Sequence, residues 1–156
     1  MAITMPIRYY WEDFTPGWTY ESPSRTLSEA DILSFAREWD PQAYHTDPEA
    51  ARKTPFGGVI ASGWQTAAVG MRLMCDGYLL ETSCLGSPGL DELRWLKPVR
   101  PGDSLRLRSI VLEQTPSQKN PTRGTIKWRW EIFNQSGDIV CTMTGRQHFT
   151  RRNPAT

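Results

Sequence analysis

The sequence predicts an α+β fold in which a curved antiparallel sheet of about five strands packs around one long buried helix. Residues 59–80 form the longest apolar run of the chain and are rich in small residues, which indicates a buried helix. The second half changes to the two-residue alternation of strands, most clearly where Ile126, Trp128 and Trp130 alternate with charged residues. A twisted sheet of this size curls readily around a single helix.

The chain is predicted to begin with an irregular segment and a short strand. Residues 1–17 show no periodic pattern and form an irregular N-terminal tail that ends in a Pro-Gly turn. Residues 18–25 are predicted as the first strand. Pro23 lacks a backbone N–H, so this strand belongs at a sheet edge or is cut short.

A short helix and a loop follow. Ser28 is a suitable N-cap, and apolar residues recur at every third or fourth position as far as Trp39, so we expect this whole face to be buried. Asp40 precedes a proline and therefore ends the helix. Residues 41–58 are predicted to be a loop that holds one helical turn, at 48–53.

Four more strands are predicted after the long helix. A proline-and-glycine corner at 97–103 joins the first two, and the turn at 134–137 makes the last two a hairpin. The four strands span residues 90–96, 104–114, 124–133 and 138–150. We expect a single domain over residues 1–156, with 151–156 as a C-terminal tail.

The overall composition excludes several classes of protein. A chain of 156 residues suits one globular domain, and a net charge of +1 gives no electrostatic case for nucleic acid or an anionic membrane. The apolar run contains Gln65, Arg72 and Asp76, which would be costly in a bilayer. The three cysteines are odd in number and far apart, and the N-terminus lacks the apolar core of a secretory signal. We therefore expect a cytoplasmic protein with reduced thiols and no metal site.

One stretch has the composition of an active site. Asp40 lies five residues before His45, one of only two histidines, and Gly63 lies near the expected start of the long helix. A carboxylate and an imidazole could share one water, and a backbone N–H at a helix N-terminus could hold a developing negative charge. Taken singly, each feature has a structural explanation, because an Asp-Pro pair usually ends a helix and a lone loop histidine is usually not catalytic.

Three motifs together resemble the MaoC-like dehydratases, or R-specific enoyl-CoA hydratases, of the hot-dog fold. They are Asp40-x4-His45-x-Asp47, the segment at 56–63 that reads Phe-Gly-Gly-Val-Ile-Ala-Ser-Gly, and the strand and corner at 93–103. The resemblance implies a sheet that wraps the long helix, dimers that join two sheets edge to edge, and a thioester bound in a tunnel at the dimer interface.

The resemblance also implies roles for individual residues. Asp40 and His45 match the pair that binds the catalytic water, and Gly63 matches the glycine whose N–H binds the thioester oxygen. The chain departs from the family at Ser62, which is commonly histidine, and at Gln42, which is commonly asparagine. We assign Gln42 and Ser62 to substrate binding, together with Arg100, which could pair with the phosphates of coenzyme A.

These observations favour reversible hydration of a trans-2-enoyl-CoA to an (R)-3-hydroxyacyl-CoA without metal or redox cofactor. Two alternatives stay open at this point. A hot-dog thioesterase would direct water to the carbonyl instead of the β-carbon, and a non-catalytic subunit would bind the acyl thioester without turnover. The expected partners are the acyl-CoA substrate and a second copy of the chain.

Overall fold

In the computed structural model, which describes residues 4–154, six antiparallel strands form one sheet whose inner face packs against the longest helix. The helices are α1 (Glu29–Trp39), α2 (Ala43–Thr46), α3 (Pro48–Arg52) and α4 (Gly63–Gly77). The strands are β1 (Thr19–Glu21), β2 (Arg25–Thr26), β3 (Cys84–Trp95), β4 (Ser104–Pro116), β5 (Arg123–Phe133) and β6 (Ile139–Thr150). No helix within 4–154 is both long enough and apolar enough to cross a membrane.

The strand order places one long strand at an open edge. The sheet runs β1-β4-β5-β6-β3, and β2 pairs with β4 beside β1. The predicted α+β architecture is thus confirmed, although the first predicted strand is divided into β1 and β2 around Pro23. β3 begins at Cys84, six residues before the predicted start, and its pairing with β6 shifts register repeatedly.

The core lies between α4 and the inner face of β4, β5 and β6. Alternate residues of these strands are buried, and Trp128 and Trp130 belong to the core. α4 approaches β5 very closely. A Cβ on Gly70 would lie only 2.7 Å from the terminal Cδ1 of Ile132, so a larger residue here would force the Ile132 side chain to move.

The long helix is shorter than the sequence predicts. It was expected to span 59–80, but Val59 to Ser62 are extended, and the Ala61 N–H donates to the Val99 carbonyl at 2.8 Å. The apolar character of this segment reflects burial of an extended strand-like stretch, which periodicity cannot distinguish from a buried helix. Nor is α4 enclosed on all sides, because Trp64 is 59% exposed.

Two other expectations need correction. Trp39 lies on the predicted apolar face of α1 but is 68% exposed. It is the last residue of the helix, and its side chain lines an open groove instead of packing in the core. The N-terminal tail is mostly irregular but not detached, since Phe14 is fully buried and contacts the Trp18 and Trp128 rings. Residues 1–3 and 155–156 of the two predicted tails lie outside the described residues.

Candidate active site

Asp40 lies at the point where α1 ends, and two side chains hold its carboxylate. The Gln42 amide donates to Oδ1 at 2.7 Å, and the Ser62 hydroxyl donates to Oδ2 at 2.7 Å. The Ser62 hydrogen bond is the largest influence on this group and lowers the pKa of Asp40 below its ordinary value, with Gln42 acting in the same direction and burial opposing them. Asp40 is therefore an ionised carboxylate at neutral pH.

His45 lies on α2 and is only 5% exposed. Its Nδ1 is 2.7 Å from the Ile60 carbonyl oxygen, which can only accept, so Nδ1 carries the proton in the neutral ring. Nε2 then faces Asp40 Oδ2 at 3.3 Å with a free lone pair. A water beside these two atoms, in contact with both, could donate one hydrogen to the carboxylate and the other to the imidazole.

Gly63 is the first residue of α4, and within residues 4–154 its backbone N–H has no acceptor. The N-terminus of a helix is positive, so an oxygen that gains negative charge is stabilised there. Trp95 makes glycine necessary, because a Cβ would lie 2.3 Å from its indole ring. The Trp95 Nε1 also donates to the Gly63 carbonyl at 2.9 Å and fixes this turn against β3.

A cavity of about 280 Å³ opens onto these groups. His45 and Gly63 lie in its wall, and the remaining surface is largely apolar, contributed by residues that include Phe56, Ile60, Trp95 and Val99. Asp40 lies behind the imidazole, and its side chain keeps 16% of its surface exposed. The site thus combines apolar walls, one carboxylate–imidazole pair and one unoccupied backbone donor.

Comparison with known proteins identifies the family of this chain. Residues 13–127 match the family model described as the MaoC like domain. The chain belongs to the MaoC-like dehydratase family. It is 38% identical to a crystal structure described as the MaoC-like dehydratase from Rhodospirillum rubrum, with a TM-score of 0.87 over 94% of this chain and 99% of that one.

Two curated relatives are each 35% identical to this MaoC-like chain over part of its length. The protein YdeM of Bacillus subtilis is 35% identical over 107 residues, which cover 69% of this chain and 76% of YdeM. The 3-hydroxyacyl-thioester dehydratase Z of Mycobacterium tuberculosis is 35% identical over 109 residues, covering 69% of this chain and 72% of the relative. The hot-dog fold expected from the resemblance is confirmed.

The other predicted site residues of this MaoC-like domain, Gln42, Ser62 and Arg100, differ in whether they contact Asp40 or lie beside the cavity. Gln42 and Ser62 contact Asp40, and Ser62 is fully buried, so its hydroxyl reaches the carboxylate and not the cavity. Arg100 is exposed, follows the cavity-lining Val99, and has no carboxylate within ion-pair distance among residues 4–154. Gln42 and Ser62 therefore hold the Asp40 carboxylate, whereas Arg100 is a cation beside the cavity wall without a carboxylate partner in the described residues.

The sequence analysis did not identify two groups of this site. The Ile60 carbonyl, which fixes the His45 tautomer, is a backbone atom and leaves no signal in residue type. Trp95 lies inside the strand-and-corner motif at 93–103 that carries the family resemblance, and this position was the only signal of its importance that the sequence offered.

The groups available for chemistry at this MaoC-like site are the Asp40 carboxylate, the His45 imidazole and the Gly63 backbone N–H. Within residues 4–154, no three His, Cys, Asp or Glu side chains come together as metal ligands. That the reaction needs no metal or cofactor stays a prediction. Burial raises the pKa of the Cys141 thiol to about 11, so this residue is a packing group and not a nucleophile at neutral pH.

Proposed function

We propose that this chain hydrates a trans-2-enoyl thioester reversibly to the (R)-3-hydroxyacyl thioester. The observation that carries the proposal is the pair formed by Asp40 and His45, 3.3 Å apart, beside the unoccupied N–H of Gly63. A base next to an imidazole of fixed tautomer can position a water, and a backbone donor can hold the thioester oxygen. The similarity to named dehydratases supports this class of reaction.

Each group has a defined part in the reaction. Water held beside Asp40 and His45 Nε2, in contact with both, loses a proton to the pair as its oxygen bonds to the β-carbon. The electrons of the double bond move to the thioester oxygen, where the Gly63 N–H and the α4 dipole stabilise the enolate. A proton then passes from the pair to the α-carbon and the carbonyl re-forms, so that one water has been added. Dehydration follows the same steps in reverse.

Coenzyme A is the carrier we propose for the thioester. Its phosphates need cations outside the apolar cavity, and Arg100 provides an unpaired guanidinium next to Val99 at the cavity wall. Ser62 and Gln42 then act indirectly, by holding Asp40 in place and ionised. This replaces direct substrate binding as the role we propose for these two residues.

We also propose that the active form is a homodimer. β3 is a twelve-residue edge strand, so its outer backbone groups are available for pairing with another strand. Exposed apolar side chains lie on or beside this edge, namely Trp64, Met71, Leu85, Leu90, Trp95 and Leu96. Since Trp95 and Leu96 also line the catalytic cavity, a second copy joined at β3 would complete its wall.

The decisive experiment is loss of the conjugated enoyl-thioester absorbance when protein is added to crotonyl-CoA. Asp40→Asn keeps the shape of the side chain but removes the base, and we expect its rate to fall by about 10²–10⁴-fold. Asp47→Asn is the matched control, because Asp47 only caps α3 and asparagine caps equally well.

A thiol reagent in a parallel sample separates the alternatives. Absorbance loss without free thiol supports hydration, whereas release of thiol would identify a thioesterase. Binding of the thioester with no change in absorbance, for crotonyl-CoA and longer homologues alike, would contradict the proposal and point to a non-catalytic subunit.

A further inference from the structure

Tyr44 is the residue before His45 on α2, and its side chain is partly buried. Its ring meets the His45 imidazole edge to face, with the two ring centroids 4.4 Å apart. The Phe56 ring, which lines the catalytic cavity, lies against it with the centroids 5.5 Å apart. Two aromatic neighbours thus hold the Tyr44 ring in place, and with it the position of its hydroxyl.

The main chain of Tyr44 also takes part in fixing His45. The Ile60 N–H donates to the Tyr44 carbonyl at 3.2 Å, and His45 Nδ1 donates to the Ile60 carbonyl at 2.7 Å. Consecutive residues of α2 are therefore joined to the two backbone groups of Ile60. Since Tyr44 makes this contact with its main chain, any residue could supply it, and the tyrosine side chain needs another explanation.

The Tyr44 hydroxyl begins a chain of two hydrogen bonds that ends at the Asp40 carboxylate. It donates to Gln42 Oε1 at 2.5 Å, and the Gln42 amide donates to Asp40 Oδ1 at 2.7 Å. An ionised carboxylate can only accept, so the amide nitrogen of Gln42 faces Asp40 and its carbonyl is left for the hydroxyl. Gln42 is exposed, and a long exposed side chain stays in one rotamer only when contacts at its end offset the lost freedom.

We propose that Tyr44 is a positioning residue for the catalytic pair, whose hydroxyl holds the Gln42 amide on Asp40 and whose ring holds the His45 imidazole. The inference rests on the proposed function for the role of the pair, and adds a residue that acts on both of its members. Without the hydroxyl, Gln42 is free to turn towards solvent. Asp40 then keeps Ser62 as its one hydroxyl or amide side-chain donor among residues 4–154.

Two simpler roles leave the hydroxyl unexplained. A ring that only packs against His45 and Phe56 would do so equally well as phenylalanine. A hydroxyl that acted on substrate would have to face the catalytic cavity, but Tyr44 is not part of the cavity wall, and its proton is directed to Gln42. The geometry therefore favours action through Asp40.

The test is a double-mutant cycle on the hydration of crotonyl-CoA, with Tyr44→Phe, Gln42→Met and the variant that carries both changes. Tyr44→Phe keeps the ring and removes the hydroxyl, and we expect kcat/KM to fall by about 2- to 12-fold, the range for one neutral hydrogen bond. The acidic limb of the pH profile should move to higher pH, because the carboxylate loses a donor. In the Gln42→Met background, Tyr44→Phe should have no further effect on either quantity.

Tyr78→Phe is the matched control. The Tyr78 hydroxyl also donates to a side chain, that of Ser109 at 3.0 Å, but it is buried in the core and away from the catalytic cavity. This variant should lower the denaturation midpoint and leave the pH profile in place. An unchanged kcat/KM and pH profile in Tyr44→Phe would overturn the inference, as would an equal effect of Tyr44→Phe with and without Gln42.

A titration of the protein without substrate keeps this inference separate from the proposed function. The pKa of Asp40, followed by carbon NMR of its carboxyl group, should be higher in Tyr44→Phe than in wild type, and equal in Gln42→Met and the double variant. His45 is the one titratable side chain within ion-pair distance of Asp40 among residues 4–154, so its ring is followed by nitrogen NMR in the same samples.

A higher pKa of Asp40 in Tyr44→Phe supports the inference even if crotonyl-CoA is not hydrated, in which case only the hydratase proposal fails. An unchanged pKa of Asp40 in this variant would overturn the inference, whatever the protein does with crotonyl-CoA.

Discussion

Ser62 influences the proposed catalytic pair through Asp40, although it was expected to contact substrate. Its hydroxyl is fully buried and donates to the carboxylate, and this hydrogen bond is the main reason why the pKa of Asp40 is low. A depressed pKa means that Asp40 stabilises the folded state when ionised, above its unfolded pKa. That contribution is lost as the pH falls through the folded pKa.

We predict that Ser62→Ala raises the pKa of Asp40, since the carboxylate loses its strongest donor. The acidic limb of the kcat/KM profile for crotonyl-CoA should move to higher pH, because Asp40 must be ionised to act as a base. At neutral pH the free energy of unfolding should fall by about 2 kcal/mol, the usual range for a hydrogen bond to a charged group. This difference should shrink as the pH drops below about 4.

Ser109→Ala is the control for Ser62→Ala. Ser109 is equally buried and accepts a hydrogen bond from Tyr78, but it lies on β4 away from the cavity. It should cost stability without moving the pH profile. An unchanged profile in Ser62→Ala would show that another group sets the acidic limb.

For individual residues, the sequence predicted which of them come together at the site better than it predicted which side chains contact one another. The motif spacing and the family resemblance predicted that Asp40, His45 and Gly63 come together, and the structure places Asp40 3.3 Å from His45, with His45 and Gly63 in the wall of one cavity. Their catalytic roles stay a prediction. The role of Ser62 could not be predicted, because its partner lies 22 residues away and the bond forms only when the extended segment before α4 packs behind Asp40.

At the scale of secondary structure, the junction of α4 with β3 positions the proposed oxyanion donor. The Trp95 ring occupies the space that a side chain at Gly63 would need, and its Nε1 holds the Gly63 carbonyl. The start of the helix and the end of the edge strand therefore form one unit.

We predict that Gly63→Ala disrupts this unit, because the added methyl group overlaps the indole. The ring must move, the Trp95 hydrogen bond is lost, and the N–H is displaced, so hydration of crotonyl-CoA should fall by about 10²-fold or more. The denaturation midpoint should fall as well. Adding Trp95→Leu to this variant should restore part of the stability by making room for the methyl group.

Gly58→Ala is the control for stability. The nearest atom to its added Cβ is Arg100 Nη1 at 4.0 Å, so the denaturation midpoint should hardly change. Full stability and activity in Gly63→Ala would refute the close contact with Trp95.

Element boundaries were predicted less accurately than element types. The extended segment at 59–62 is as apolar as the helix that follows, and both are buried, so composition alone could not separate them. β3 was predicted too short because Gly86, Pro88 and Gly89 interrupt the alternation of its first half. Phe14 lies in a segment without periodicity, and nothing in the local pattern shows that it fills the core.

For the whole molecule, the exposed edge at β3 leads to a prediction about assembly. We predict that wild type sediments as a dimer and that Leu85→Glu, which places a charge among the apolar side chains of this edge, shifts it towards monomer with loss of hydration. Leu112→Glu is the control, because Leu112 is an exposed leucine on β4, away from β3. A dimer that persists in Leu85→Glu, or an active wild-type monomer, would contradict the proposed interface.

The opposite edge of the sheet limits how far strand pairing can extend. β1 has three residues and β2 has two, and Pro23 between them offers no backbone donor. An incoming strand finds only short rows of hydrogen-bonding groups on that side, because β1 and β2 interrupt the outer edge of β4 and leave only residues 112–116 of it without a strand partner in the described part of the chain. We therefore expect two copies joined at β3 to form a closed pair, without further copies adding through the opposite edges.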